Sequence, residues 1–159
     1  ENIYEWILMC LRDKDVKVVV DATKDLLLNV LKYHPFLIKP NNHELGQMFG
    51  VTAATDEDIA AYAGKLREMG AVNVLVSMAK DGAILVAEDG SIHRQGVARG
   101  TVRNSVGAGD SMVAGFIAGY LETGDYRYAL KLGTACGGAT AFSDGIGTKQ
   151  DIMELMETL

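Results

Sequence analysis

Val16-Lys17-Val18-Val19-Val20-Asp21 is a β-branched run closed by an acidic residue, the composition of a short strand buried on both faces of a parallel sheet. Just before it, Ile3, Trp6, Ile7, Cys10 and Leu11 recur at helical spacing, and the polar Arg12-Asp13-Lys14-Asp15 ends that helix. Trp6 is expected on the helix's buried face. After the run, residues 26–31 read as a short helix, Phe36-Leu37-Ile38 as a second strand stopped by Pro40, and residues 44–49 as a helix terminated by Gly50. Thr55-Asp56-Glu57-Asp58 is a capped helix start, that helix runs to Met69 before Gly70, and residues 72–77 form a third strand. Strand and helix alternate, which predicts an α/β fold with a parallel sheet.

The pattern then changes. Residues 83–87 and 91–97 read as strands joined by Glu88-Asp89-Gly90, a hairpin signal that adds antiparallel strands at one edge of the sheet. Gly107-Ala108-Gly109-Asp110 opens a helix with Val113, Phe116, Ile117, Tyr120 and Leu121 on one face. A second helix starts at Tyr126, and its Ala135, Gly137, Gly138 and Ala139 suit close approach to a neighbour. Asp144-Gly145-Ile146-Gly147 breaks it, and a last helix begins near Lys149. No internal repeat or linker interrupts residues 1–159, which read as one α/β domain.

Composition bounds the function. A chain of 159 residues, 48% hydrophobic and 23% charged, has enough apolar content for a core and too little charge for a disordered segment. No apolar stretch approaches the roughly 18 residues of a membrane span. The net charge of −6 leaves no overall electrostatic footprint for nucleic acid or an anionic membrane. Cys10 and Cys136 each sit in an apolar helical pattern and are expected as buried free thiols, while His34, His43 and His93 are too scattered for a zinc set. Reduced cysteines and no address signal lead to a cytoplasmic expectation. The opening Glu1-Asn2-Ile3-Tyr4 lacks an initiator methionine and is already helical in pattern, as in a chain entered partway through.

Three segments could carry chemistry. In Asn104-Ser105-Val106-Gly107-Ala108-Gly109-Asp110-Ser111, glycines let successive amides turn toward one anion at a helix N-terminus. Asp110 would repel that anion, so it is either an ordinary first-turn cap or a base that takes a proton from an attacking hydroxyl. A P-loop is excluded because no Gly-Lys-Ser/Thr is present, and Met112 stands where a dinucleotide fingerprint needs a small residue. In Lys39-Pro40-Asn41-Asn42-His43-Glu44, past a predicted parallel strand, Asn41 and Glu44 are spaced either to share hydrated Mg²⁺ or to close a capping box. His43 reads as a surface residue. Ser77-Met78-Ala79-Lys80-Asp81-Gly82 follows another such strand and is either a polar turn or a loop framing a nucleotide.

In this order the three segments resemble the PfkB family of ribokinase-like carbohydrate kinases. Gly107-Ala108-Gly109-Asp110-Ser111 with Val113-Ala114-Gly115-Phe116 is similar to its C-terminal signature, Asn41-x-x-Glu44 to its magnesium motif, and the 77–82 segment to its nucleotide loop. The resemblance implies a three-layer α/β/α sandwich, mostly parallel with antiparallel strands at one edge, of which only the second half is present. It implies ATP and a sugar phosphate as substrates, Mg²⁺ held through Asn41 and Glu44, and Asp110 as base, with the amides of residues 106–110, including Gly107, Ala108 and Gly109, as an anion hole. Lys39, Asn41, Ser77, Met78, Ala79, Lys80, Asp81, Gly82, Gly109, Gly138 and Ser143 would contact the nucleotide.

Asn104-Ser105 in place of the Asp-Thr usual in ribokinases, together with residues 18–49, is similar to the branch containing 1-phosphofructokinases and tagatose-6-phosphate kinases. That branch implies phosphorylation of fructose 1-phosphate to fructose 1,6-bisphosphate. Tagatose-6-phosphate kinase chemistry or an idle nucleotide-binding module are the alternatives. The sugar-binding residues and the lid through which a parent would dimerise belong to the absent half, so a weak or inactive kinase is expected from these residues alone. Ala79 stands where the family has glycine.

Overall fold

The computed structural model describes residues 3–159; Glu1 and Asn2, which the sequence pattern places in the first helix, lie outside the described residues. The elements in order are α1 (Ile3–Leu11), β1 (Val19–Val20), α2 (Lys24–Val30) with a 3₁₀ turn (Leu31–Tyr33), β2 (Leu37–Ile38), α3 (Asn42–Phe49), α4 (Asp56–Glu68), β3 (Asn73–Ser77), a 3₁₀ turn (Ala79–Asp81), β4 (Ala83–Val86), β5 (Ile92–Gln95), α5 (Ala108–Thr123), α6 (Tyr126–Ala141) and α7 (Lys149–Thr158). They form an α/β fold with one sheet, in strand order β1-β2-β3-β4-β5. Val19 pairs with Leu37 and Leu37 with Asn73, both in parallel. The connections from β3 to β4 and from β4 to β5 are far shorter than the dozen or so residues a parallel crossover needs, so these strands run antiparallel. The sheet is mixed, as the hairpin signal predicts.

The described chain gathers into two compact units, one reaching to Met78 and including Ile84–Ile92, the other comprising Ala79–Ala83 and His93–Leu159. In the first, Leu27, Val30, Ile38, Leu45, Leu66, Val74, Val76 and Ile84 make a core. Its helices are bounded by local chemistry. Thr55 and Asp58 close a capping box on α4, three acids occupy that helix's first turn, and Lys65 and Arg67 occupy its last, matching the macrodipole. Asn73 is fully buried, and its amide is satisfied at both ends, donating to the Phe36 carbonyl and accepting from the Glu88 N–H, each at 2.9 Å.

Gly64 lies inside α4 with nothing within 4 Å of where a Cβ would stand. Gly64→Ala should therefore raise stability by about 0.5–1 kcal/mol, the helix-propensity difference alone, read as a higher urea midpoint.

In the second unit α5 and α6 meet through small residues. A Cβ added at Gly115 would stand 2.6 Å from Cys136 Sγ, and one at Gly119 would stand 2.9 Å from Ala129 Cα. Phe116 is fully buried beside them. The expected apolar face of α5 is corrected here: Leu121 is 68% exposed, and Val113, Ile117 and Tyr120 are only half-buried, because glycines and not large side chains make the contact. Thr148 caps α7, and its hydroxyl and amide hold the Asp151 carboxyl below the usual carboxylate range.

Three expectations fail in the first helix and strand. Trp6 is 62% exposed, Cys10 is exposed, and the five-residue β-branched run forms a ladder only at Val19–Val20. Among the described residues β1 ends the sheet and has a partner on one side only. Cys136 is half-buried, and that burial pushes its thiol up. No helix among the described residues is long and apolar enough to cross a membrane.

Candidate functional site

Parallel α/β sheets bind ligands beyond the carboxyl ends of their strands, where chain leaves the ladder and backbone groups become available. In the first unit that edge collects residues from three strands. Asp21 follows β1, Lys39 follows β2, and the Lys39 ammonium lies 3.1 Å from the Asp21 carboxylate. Lys39 is 8% exposed and needs that partner. Next to it, Asn41 bridges Ser77 at the end of β3, and the Ser77 N–H donates to the Pro40 carbonyl at 3.1 Å. The fold thus brings the 39–44 segment and Ser77 side by side.

Asn41 and Glu44 do close the capping box. Asn41 Oδ1 accepts from the Glu44 N–H at 2.8 Å, and Glu44 Oε2 accepts from the Asn41 N–H at 2.9 Å. The box fixes the carboxylate at the helix start and leaves Glu44 Oε1 without a hydrogen bond among the described residues. Such a rigid, oxygen-only donor set suits a hydrated Mg²⁺, which takes one or two carboxylates and keeps several waters. His43 is exposed.

Beyond Ser77, the Met78 side chain lies in the core at 6% exposure, so any share it has in a nucleotide loop is confined to its backbone. Ala79 adopts φ +50°, and Gly82 adopts φ +92° with no room for a Cβ against the Gln95 carbonyl. Ala79, Lys80 and Asp81 are exposed, and Arg94 donates to the Asp81 carbonyl at 2.9 Å. The left-handed backbone explains why glycine suits position 79. Ala79→Gly should stabilise by about 0.5–1 kcal/mol, the αL penalty of a Cβ less glycine's larger unfolded-state entropy. Its measurement is a urea midpoint, and a fall would mean that the methyl makes a contact worth more than the strain.

In the second unit, Gly107 precedes α5 with φ +79° and ψ −5°. The Val106 N–H is taken by Asn104 Oδ1 at 3.0 Å and the Ala108 N–H by the Ser105 carbonyl at 3.2 Å. The expected anion hole of residues 106–110 therefore narrows, and the amides of Gly107, Gly109 and Asp110 have no acceptor among the described residues. Such a group of amides at a helix start favours an anion.

Asp110 is the third residue of its helix, as Glu44, Asp58 and Asp151 are of theirs. Those three reach back to cap the N–H of an extended N-cap residue; Asp110 makes no hydrogen bond or ion pair among the described residues. The left-handed Gly107 turns its N–H out of reach, and the carboxylate remains exposed.

Sequence reasoning missed the residues that brace this start. Buried Thr140 receives the Gly147 N–H at 3.1 Å and donates to Ser111 Oγ at 2.8 Å, while the Arg103 and Asn104 amides donate to the Ala141 carbonyl. Gly138 is a packing glycine whose Cβ would stand 3.1 Å from Ala98, and the Ser143 hydroxyl is spent on the Ala139 carbonyl at 2.8 Å. Neither residue points to a nucleotide by its own contacts. Asp21 was also missed, since nothing local in the sequence ties it to Lys39.

Residues 1–153 match the profile of the pfkB family carbohydrate kinases. A 1-phosphofructokinase from Bacillus subtilis is 42% identical over 155 residues, 98% of this chain and 51% of its own. A D-tagatose-1-phosphate kinase from Bacillus licheniformis is 38% identical over 92% of this chain and 47% of its own. The crystal structure of a candidate phosphofructokinase from Staphylococcus aureus superposes with a TM-score of 0.92 at 38% identity, over 97% of this chain and 50% of that one. The chain spans about half the length of the curated relatives it matches. With the family profile matched over nearly the whole chain, and the signature helix and strand-end loops formed as described, the chain belongs to the pfkB family of carbohydrate kinases.

Proposed function

We propose that the chain supplies the base-bearing and nucleotide-handling half of an ATP-dependent sugar-phosphate kinase that phosphorylates a ketohexose 1-phosphate, with fructose 1-phosphate as the leading acceptor. The observation that carries this reading is Asp110: of the five acidic residues at the third position of a described helix, Glu44, Asp58 and Asp151 cap and Glu5 pairs with Lys32, and the Asp110 side chain alone has no hydrogen bond or ion pair among the described residues. Its free carboxylate is suited to take the proton of the acceptor hydroxyl as that oxygen attacks the γ-phosphorus and ADP leaves. The unclaimed amides of Gly107, Gly109 and Asp110 are suited to the charge on the transferring phosphoryl oxygens. In the first unit, Lys39 and Ser77 would serve the nucleotide phosphates, and Asn41 and Glu44 would hold Mg²⁺, which neutralises phosphate charge when bound; in the second, residues 79–82 would serve the nucleotide.

The relatives' names sharpen the acceptor. Both the 1-phosphofructokinase and the D-tagatose-1-phosphate kinase are named for sugars already phosphorylated at C1, which supports attack by a distant hydroxyl, the one at C6. A kinase acting on tagatose 6-phosphate would need the opposite arrangement. The test is ADP formation and product identification with fructose 1-phosphate, tagatose 1-phosphate and tagatose 6-phosphate, using this chain joined to the remaining half of the family domain. Turnover only with the 1-phosphates supports the proposal, whereas turnover only with tagatose 6-phosphate, or ATP binding without turnover, overturns it. The chain without that half should turn over poorly, because nothing then excludes water from the transfer.

A further inference from the structure

Neither the Asp110 carboxylate nor the amides of Gly107 and Gly109 have a partner among the described residues, so neighbouring groups must set their position. Thr140 and Ala141, at the end of α6, do so from both flanks of the turn. Before it, the Ala141 carbonyl accepts from the Arg103 and Asn104 N–H groups at 2.8 and 3.2 Å, and Asn104 Oδ1 accepts from the Val106 N–H. After it, Thr140 donates to Ser111 Oγ at 2.8 Å. The Thr140 methyl faces Gly107, where a Cβ would stand 3.9 Å from it. Asp110 lies in the chain between the two residues that Thr140 addresses.

The Thr140 hydroxyl is used in an uncommon way. A helical threonine ordinarily returns its hydroxyl to a carbonyl of the preceding turn, as Thr123 does to Gly119 at 2.8 Å and Thr134 to Leu130 at 2.9 Å. Thr140 is 2% exposed and makes no such bond. Its oxygen accepts from the Gly147 N–H at 3.1 Å, and an amide can only donate. A hydroxyl buried this deeply then needs an acceptor for its own proton, and Ser111 Oγ is the one it reaches. Half-buried Ser111 keeps its own proton for another partner. The hydroxyl thus ties the turn that follows α6 to the first turn of α5.

We propose that Thr140 is a positioning residue for the phosphoryl transfer. Through Ser111 it holds the first turn of α5, and with it the Asp110 carboxylate and the amides of Gly107 and Gly109, in the arrangement the reaction needs. The inference rests on the reading of Asp110 as the base. Both hydrogen bonds of Thr140 go to protein groups, so its effect falls on the rate of transfer and not on ligand affinity. A displacement of about 1 Å at a reacting group costs on the order of 10²-fold in rate.

The experiment uses the enzyme that contains both halves of the family domain. Thr140→Val keeps the shape and removes the hydroxyl; it should lower kcat about 10- to 100-fold and leave KM for ATP and fructose 1-phosphate within about 3-fold. Thr140→Ser, which keeps the hydroxyl, should restore kcat to within about 3-fold of the parent. Ser111→Ala removes only the acceptor and should itself lower kcat about 10-fold, which keeps the test open where Thr140→Val does not fold. The double variant should be no slower than Thr140→Val, because one residue acts through the other. Thr134→Val removes an equally buried hydroxyl from the same helix and should lower the urea midpoint with kcat unchanged. Hydrogen exchange of the Ser111 amide, bonded to the Gly107 carbonyl at 2.9 Å, should quicken in Thr140→Val and not in Thr134→Val. Undiminished kcat in Thr140→Val or Ser111→Ala overturns the proposal, as do a loss that serine does not restore, losses that multiply in the double variant, or unaltered Ser111 exchange. Asp110→Asn, measured alongside, keeps the two readings apart. Its loss of turnover beside full turnover in Thr140→Val removes the role of Thr140 alone, whereas full turnover in Asp110→Asn removes the base and the positioning role with it.

Discussion

Gly133→Ala is expected to destabilise the α5–α6 pair by about 2–3 kcal/mol, although alanine is the better helix former by about 1 kcal/mol. The sign follows from what the new methyl meets. It would stand 2.7 Å from the Met112 carbonyl oxygen, 3.2 Å from the Phe116 nitrogen and 3.3 Å from the Phe116 Cβ. Two of these are backbone atoms of the neighbouring helix, so the strain is relieved only by moving the helices apart, and Phe116, fully buried, loses contacts when they move. Gly137 repeats the approach one turn later, where a Cβ would stand 3.1 Å from the Ala108 carbonyl in the first turn of α5. The seam therefore also sets the position of Asp110. Urea unfolding followed by circular dichroism, with Gly64→Ala as the opposite-signed control, checks the prediction; an unchanged or raised midpoint for Gly133→Ala shows that the helices are not in glycine contact.

The same residues show what a sequence can convey. Local chemistry was legible: the capping residues at Asn41 and Thr55, the left-handed stop at Gly50 and the Asp89-Gly90 turn all act within a few residues of themselves. Small residues in α6 announced a close approach. Which large residues the approach would cover was not legible, because periodicity identifies an apolar face without saying what lies against it. Leu121 and the apolar face of α1 are two cases of that ambiguity.

Site residues divide in the same way. The pairing of Lys39 with Asp21 and the bracing of Ser111 by Thr140 join positions far apart in the chain, so no local spacing could signal them. Asn41 and Glu44 posed a different difficulty, since a capping box and a metal pair use the same residues at the same interval. The structure forms the box, and the box leaves one carboxylate oxygen available.

Asp110→Asn is expected to lower kcat about 10²- to 10⁴-fold in the enzyme that contains both halves of the family domain, a barrier increase of about 3–5 kcal/mol. The substitution is nearly isosteric, and Asp110 has no hydrogen bond or ion pair among the described residues to lose. Folding should therefore suffer only the helix-dipole contribution of one exposed first-turn charge, a few tenths of a kcal/mol. By contrast, Asp58→Asn exchanges a carboxylate that accepts the Thr55 N–H for a weaker acceptor and should cost stability without touching turnover. Binding separates a base from a structural residue further. A carboxylate beside the phosphates repels them, so removing its charge should leave the KM for ATP unchanged or lower while kcat falls. A residue that only shaped the loop would raise KM and reduce the urea midpoint together. Steady-state kinetics on Asp110→Asn and Asp58→Asn, with unfolding curves for both, distinguish these outcomes: undiminished kcat for Asp110→Asn removes that residue from the proton transfer, and a fall in kcat with KM and stability intact assigns the proton to it.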